Sequence, residues 1–242
     1  MSRPKSSTGW YSRAAALGAM TVVGAIVGCG GEDRGRLVAD SEMNPGSTNP
    51  CAIAAKTDLS PQVDFESAPP SGWWVGDDGS GPLLSQREKL DEPLCGHSET
   101  AFHIQASDLA IWGGNVAYTF QPPYDAQAEG WEGIALWARR EPDSEGQALF
   151  IAVSDKYTME GQGYCADSTI DTEKCDRFGS AIGLQTEWRL FLVPFANMKQ
   201  RAYGVPSPGI DLPAILQLNL YFDIGDWDFW VDDWGFYKAK PQ

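Results

Sequence analysis

The chain has 242 residues, with 18 Lys plus Arg against 33 Asp plus Glu and a formal net charge of −15 at pH 7. That balance, with no basic patch interleaved with aromatics, argues against nucleic acid as a partner, because such binding draws on many Lys/Arg–phosphate contacts. No P-loop, dinucleotide glycine fingerprint or H-E-x-x-H pair occurs, and the only candidate nucleophile elbow, Gly179 to Gly183, puts Ser180 in the wrong place.

Arg3, Lys5 and Arg13 give a positive amino-terminal region, followed at residues 14–28 by an uncharged run rich in Ala, Val and Gly. A positive start, a short apolar stretch and a small-residue end form the plan of a secretory signal. The run is shorter than the roughly 20 apolar residues of a membrane span. Gly18, Gly24 and Gly28 disfavour a buried core helix. The end of the run, Ile26-Val27-Gly28-Cys29, resembles the lipobox of bacterial lipoproteins. The resemblance implies a signal peptide over residues 1–28, cleavage before Cys29 and lipidation of its thiol. It also implies a bacterial cell-envelope location, periplasmic or at the surface, with the membrane held through more than one acyl chain. Loss of the signal removes three cations and no acid, so the mature chain is more acidic still.

Residues 29–62 read as a flexible tether, rich in Gly, Ser, Asn, Asp and Pro and poor in large apolar side chains. Residues 63–238 read as one all-β domain. Short runs of period two recur there between Gly, Pro and Asp clusters: 63–66, 101–106, 115–120, 131–139, 149–153, 188–193, 215–222 and 229–237. The cleanest is 215–222, where Leu216, Leu218, Leu220 and Phe222 point inward and Gln217, Asn219 and Tyr221 outward. Eight such runs predict a β-sandwich or barrel. Residues 86–92 and 196–201 are the places for single helical turns.

Apart from Cys29, four cysteines remain, Cys51, Cys95, Cys165 and Cys175, an even count that outside the cytoplasm favours two disulfides. Of three possible pairings, Cys165 with Cys175 is favoured because they bracket one short polar loop, whose closure is worth about 2–3 kcal/mol. Cys51 with Cys95 follows by elimination. Zinc is disfavoured, since the chain has two histidines and no C-x-x-C pair.

Several pieces then occur in a familiar order: Asp64-Phe65-Glu66, Trp73-Trp74, the Asp/Gly stretch 76–81, Ala101-Phe102-His103 and Trp112-Gly113-Gly114. They continue through Tyr124-Asp125, the run 133–138, Glu187-Trp188-Arg189 and Val193-Pro194-Phe195, and end in the aromatic-Asp-Asp strand 229–237. The ordered set resembles the galactose-binding-like β-jelly-roll group, which includes many carbohydrate-binding modules. The resemblance implies a jelly-roll sandwich of two antiparallel sheets. It also implies a structural Ca²⁺ tying the first strand to the last, through Asp64 or Glu66 and Asp232 or Asp233. Ca²⁺ takes six to eight oxygen ligands, which carboxylates and carbonyls supply. The stretch Asp77-Asp78-Gly79-Ser80-Gly81 lacks EF-hand ligand spacing and reads as a plain turn.

For a glycan, the expected signature is a few aromatics among polar side chains on one sheet face. His103, Trp137, Arg139, Gln217, Asn219 and Tyr221 are the outward candidates, joined by Trp112 on its Gly-rich loop. The competing role for any one aromatic is core packing, since each buries roughly 150–250 Å². A glycosidase needs two carboxylates at about 5–5.5 Å or 6.5–9.5 Å across a cleft, a distance that the sequence does not show. The reading is therefore a non-catalytic, membrane-anchored carbohydrate-binding lipoprotein. An envelope protein-interaction or adhesion module is the alternative, and a glycoside-active enzyme the third.

Overall fold

The computed structural model describes residues 37–38, 49–159, 165 and 175–240. The signal, the lipobox with Cys29 and most of the expected tether lie outside the described residues.

The described residues form twelve strands: β1 (Leu37–Val38), β2 (Thr57–Val63), β3 (Trp73–Asp77), β4 (Leu83–Leu94), β5 (Ser98–Leu109) and β6 (Gly114–Tyr124), then β7 (Gly133–Arg140), β8 (Ala148–Asp155), β9 (Phe178–Gly183), β10 (Arg189–Pro194), β11 (Ile215–Phe222) and β12 (Gly225–Ala239). One six-residue helix, α1 (Pro50–Ala55), precedes β2. Two sheets stack as a β-sandwich. Sheet I has the order β1-β9-β8-β11-β6-β3, and sheet II the order β10-β7-β12-β5-β4. The pairs are antiparallel except β1 with β9. Strand β12 is long enough to serve two partners along one edge. Its first half pairs with β5 and its second with β2, with a register shift between Asp232 and Gly235.

Alternation explains the layers. Leu218, Leu220 and Phe222 of β11 meet Ile134, Leu136, Phe229, Val231 and Phe236 of sheet II in the central core. Each such side chain, fully buried, contributes about 1.5–3 kcal/mol. The outer face of sheet II carries a second apolar cluster, in which Ala101, Ala135, Trp137, Leu190, Leu192, Trp230 and Tyr237 are buried. Helix α1 brings Ile53 and Ala54 onto this cluster, together with the Cys51–Cys95 disulfide. The helix starts at Asn49, whose side-chain oxygen accepts from the N–H groups of Cys51 and Ala52, with Pro50 in the first turn. A second disulfide joins Cys165 to Cys175. Such bonds persist in oxidising compartments.

The structure differs from the sequence reading in four places. Regular structure extends back to residue 50, within the expected tether, because α1 packs on sheet II and β2 pairs with β12 in it. The first core strand ends at Val63, and 64–66 form a turn in which Phe65 adopts φ 55° and plugs into the core. Residues 86–92 are strand, not a helical turn, because β4 pairs with β5 at the sheet edge and leaves polar side chains in solvent. At 196–201 the helical turn is a 3₁₀ segment of three residues, Phe195–Asn197.

Candidate functional site

The outward row of β11 lies at the middle of sheet I. Gln217 sits between Thr119 of β6 and Ser154 of β8, Asn219 between Ala117 and Ala152, and Tyr221 between Asn115 and Phe150. Beyond β8, Gly179 of β9 pairs with Ala152. Beyond β6, Trp74 of β3 pairs with Ala117 and Gly76 with Asn115. The floor is therefore small, and the large side chains stand at its borders.

Hydrogen bonds fix that floor. Gln217 Nε2 donates to Thr119 Oγ1 at 2.9 Å, and Asn219 Nδ2 to Ser154 Oγ at 2.9 Å. Arg177 Nε donates to the same Ser154 hydroxyl at 2.9 Å, and its guanidinium stacks 5.3 Å from the Tyr221 ring. Asn219 and Gln217 do face outward, but both are buried. They position the face; they do not meet solvent themselves. The solvent-reaching groups are Trp74, 42% exposed, the half-buried Tyr221 and Phe150, and Arg201. The six-membered ring of Trp74 lies over Gly76, where a Cβ would come within 3.0 Å of it.

Three other expected ligand residues belong to the opposite side of the sandwich. Trp137 is fully buried in the second cluster beneath α1, where its role is packing. His103 stacks on Trp230 at 3.9 Å, with Nδ1 at 2.9 Å from Glu88 Oε1 and Nε2 at 2.6 Å from Asp228 Oδ1. Arg139 covers the Trp230 ring at 5.0 Å and pairs with Glu141 at 2.8 Å. Those contacts tie sheet II together. His103, Trp137 and Arg139 therefore cannot join Tyr221 around one ligand, because sheet I and the core lie between.

Trp112 stands apart at one end of the sandwich, on the loop between β5 and β6. A single carboxylate shapes that loop. Asp78 Oδ2 accepts from the N–H groups of Ile111, Trp112 and Gly113 at 2.9, 2.8 and 2.9 Å. Partial desolvation pulls the Asp78 carboxyl up. Bonds from the Ser80 hydroxyl and from the N–H groups of Gly113, Ser80 and Trp112 outweigh it and hold the group well below the usual carboxylate range. The clamp leaves Ile111 70% and Trp112 49% exposed, beside the β11–β12 turn with Ile224 58% exposed.

The four acids assigned to a metal gather where β12 passes the 64–66 turn. Ser98 Oγ lies within hydrogen-bond distance of both Glu66 Oε1, at 2.9 Å, and Asp232 Oδ2, at 2.5 Å, with its single proton for one of them. The N–H groups of Glu99 and Thr100 also donate to Glu66 Oε1. Burial, then the charges of Asp233 and Glu66, push Asp232 up to about 8. Burial likewise raises Asp233 to about 6, with Asp64 and Glu66 adding to it and His97 opposing. Glu66 is desolvated too, but its bonds from Thr100, Ser98 and Glu99 hold it below the usual range. The donors are hard carboxylate oxygens: Asp64 and Glu66 are exposed, Asp232 is buried, and Asp233 lies 3.8 Å from His97. Their chemistry fits a divalent oxygen-seeking cation, although among the described residues no three acidic, His or Cys groups already converge as a cage.

Sequence reasoning passed over Trp74, Phe150, Arg177 and Arg201. The alternation of 149–153 does place Phe150 opposite the core residues Leu149 and Ile151. Strand β3 has only five residues, too few for a pattern, and Arg201 lies outside any strand.

No family model and no curated protein matches the chain. Solved structures do. The family 11 carbohydrate-binding module of the cellulosomal cellulase Lic26A-Cel5E of Clostridium thermocellum aligns with a TM-score of 0.51 at 14% identity, over 76% of this chain and 96% of that one. A family 11 module from the same organism, in complex with a beta-1,3-1,4-mixed-linked tetrasaccharide, gives 0.51 at 13% identity over 77% and 98%. An agarase, AgWH50C, gives 0.49 at 16% identity over 75% of this chain and 26% of its own. The chain thus has the β-sandwich fold of a carbohydrate-binding module.

Proposed function

We propose that the domain binds a glycan chain, without acting on it, along the outer face of sheet I. The exposed Trp74 ring carries the reading: its six-membered ring lies over Gly76 on the same outward face as the half-buried Thr119 and Tyr221, so a pyranose can stack on it while its hydroxyls meet those two hydroxyl groups. The likeness to a module that holds a tetrasaccharide supports it through the fold. In this reading Cys29 anchors the chain to a membrane outside the cytoplasm, in keeping with the two disulfides. Glu66, Asp64, Asp232 and Asp233 hold a Ca²⁺ that neutralises their charge and fastens the 64–66 turn to β12.

Affinity electrophoresis through gels containing β-glucans, xylans, agarose or acidic polysaccharides tests the glycan. Retardation by at least one polymer is expected, weakened about tenfold or more in Trp74→Ala, a change equivalent to about 1.4 kcal/mol. Equal retardation of wild type and variant, or none in any gel, would overturn the proposal.

The second reading, a protein-interaction module, is favoured by one feature, the exposed apolar tip of Ile111, Trp112 and Ile224. Exposed apolar side chains grouped this way often mark contact sites.

A further inference from the structure

In a chain with 33 acids and 18 bases, the outward positions of β3, β6, β8, β9 and β11 carry no acidic side chain among the described residues. The outer face of sheet II is the opposite, with Glu88, Asp228 and Glu141 grouped on it. Cations gather instead at the β8–β9 side of sheet I. Lys199 bridges Gly179 in antiparallel register and so shares its outward side. Arg201, two residues on, lays its guanidinium 4.2 Å from the Phe150 ring and 5.5 Å from Tyr203. Gly179 makes room for that stack, since a Cβ there would meet the Phe150 ring at 2.5 Å. Arg177 reaches in from the same strand end to Tyr221.

Three other cations sit on carboxylates: Arg139 on Glu141 and Lys156 on Asp211, both at 2.8 Å, and Lys89 on Glu99 at 3.7 Å. Arg201 is exposed and has no carboxylate partner among the described residues. Two aromatic rings pack against its guanidinium, Phe150 at 4.2 Å and Tyr203 at 5.5 Å. A guanidinium fixed this way presents a planar fork that matches a carboxylate or sulfate, which a lysine would not.

We infer that the ligand of this face is an anionic polysaccharide, whose carboxylate or sulfate groups are received by Arg201 with Lys199 beside it. The inference rests on the glycan reading above and names its substrate class. A strongly acidic protein repels polyanions over most of its surface, so a face whose described outward strand positions carry no acid is where one can approach. The attraction is local and screened by salt.

The test measures retention of the full protein by polygalacturonate and alginate, by dextran sulfate, and by neutral β-glucan and xylan, for wild type, Arg201→Gln and Trp74→Ala. Retention is expected on a carboxylated or a sulfated polymer, and the two arms tell which. It should weaken at least tenfold in Arg201→Gln and fall as salt is raised. Arg201 is exposed, so Arg201→Gln should unfold at the wild-type midpoint. Retention by a neutral polymer alone, lost in Trp74→Ala, would overturn the anionic inference and leave glycan binding standing. Retention by no polymer would overturn both. Acidic retention unchanged in Arg201→Gln would remove Arg201 from the role.

Discussion

Burial takes Asp232 out of water and places it near Asp233 and Glu66, so its carboxyl titrates at about 8 rather than at its ordinary 3.8. Between those values the native state binds a proton that the unfolded chain releases, so this group's contribution to stability falls as pH rises from about 4 to about 8. Asp233, at about 6, acts in the same direction over a narrower window. Glu66, held low, has the opposite sign: its contribution is present above the ordinary carboxylate range and lost as pH falls below it. In the presence of a chelator the thermal midpoint should therefore be higher at pH 5 than at pH 8. Asp232→Asn should flatten that slope, since the amide fills the same space without the charge. Added Ca²⁺ should raise the wild-type midpoint more at pH 8 than at pH 5, where protons compete, and should do so less in Asp232→Asn. A flat chelated profile would show that Asp232 is not desolvated as described. An unchanged midpoint with Ca²⁺ would remove the metal from the account.

Helix α1 and the Cys51–Cys95 disulfide close a lid over the second apolar cluster, and the bond spans 44 residues. On the chain-entropy model a loop of that length is worth about 4 kcal/mol, and native removals cost about 2–5 kcal/mol. Replacing both cysteines by serine should lower the unfolding free energy by that order in urea, with the midpoint shifted and glycan retention at saturating ligand unchanged, because sheet I is on the other side. This lid was illegible in the sequence for a physical reason. Residues 50–62 contain two prolines and few large apolar side chains, and β2 gains its place only by pairing with the far half of β12. Strand β4 misled in the same way. An edge strand buries so little that its residues 85–89 are all polar, and no period of two in apolar residues remains. Strand β11 was legible because it is central, with one face in the core and the other polar, so its alternation from Leu218 to Phe222 is unbroken.

Alternation reports whether a side chain points toward or away from the core, but not from which sheet it points away. His103, Arg139 and Tyr221 thus look alike in the sequence, although the first two are on sheet II and the last is on sheet I. Only the strand order separates them, and with it two chemically distinct outer faces. Sheet II is closed by α1, its Trp137 buried and its Trp230 held between His103 and Arg139. On the outer face of sheet I, Trp74 is exposed at one border and Arg201 opposite. The indoles divide accordingly. Trp74 meets any ligand of sheet I directly, whereas Trp188, half-buried near Arg139, reports on sheet II. Titration with a retained polysaccharide should change the tryptophan emission of wild type and of Trp188→Phe alike, with the same half-saturation. The change should vanish in Trp74→Phe, even though that variant keeps a ring for stacking and so binds within a few-fold of wild type. If Trp188→Phe lost the signal and Trp74→Phe kept it, the ligand would sit on sheet II, and the outer face of sheet I would be a surface without this function.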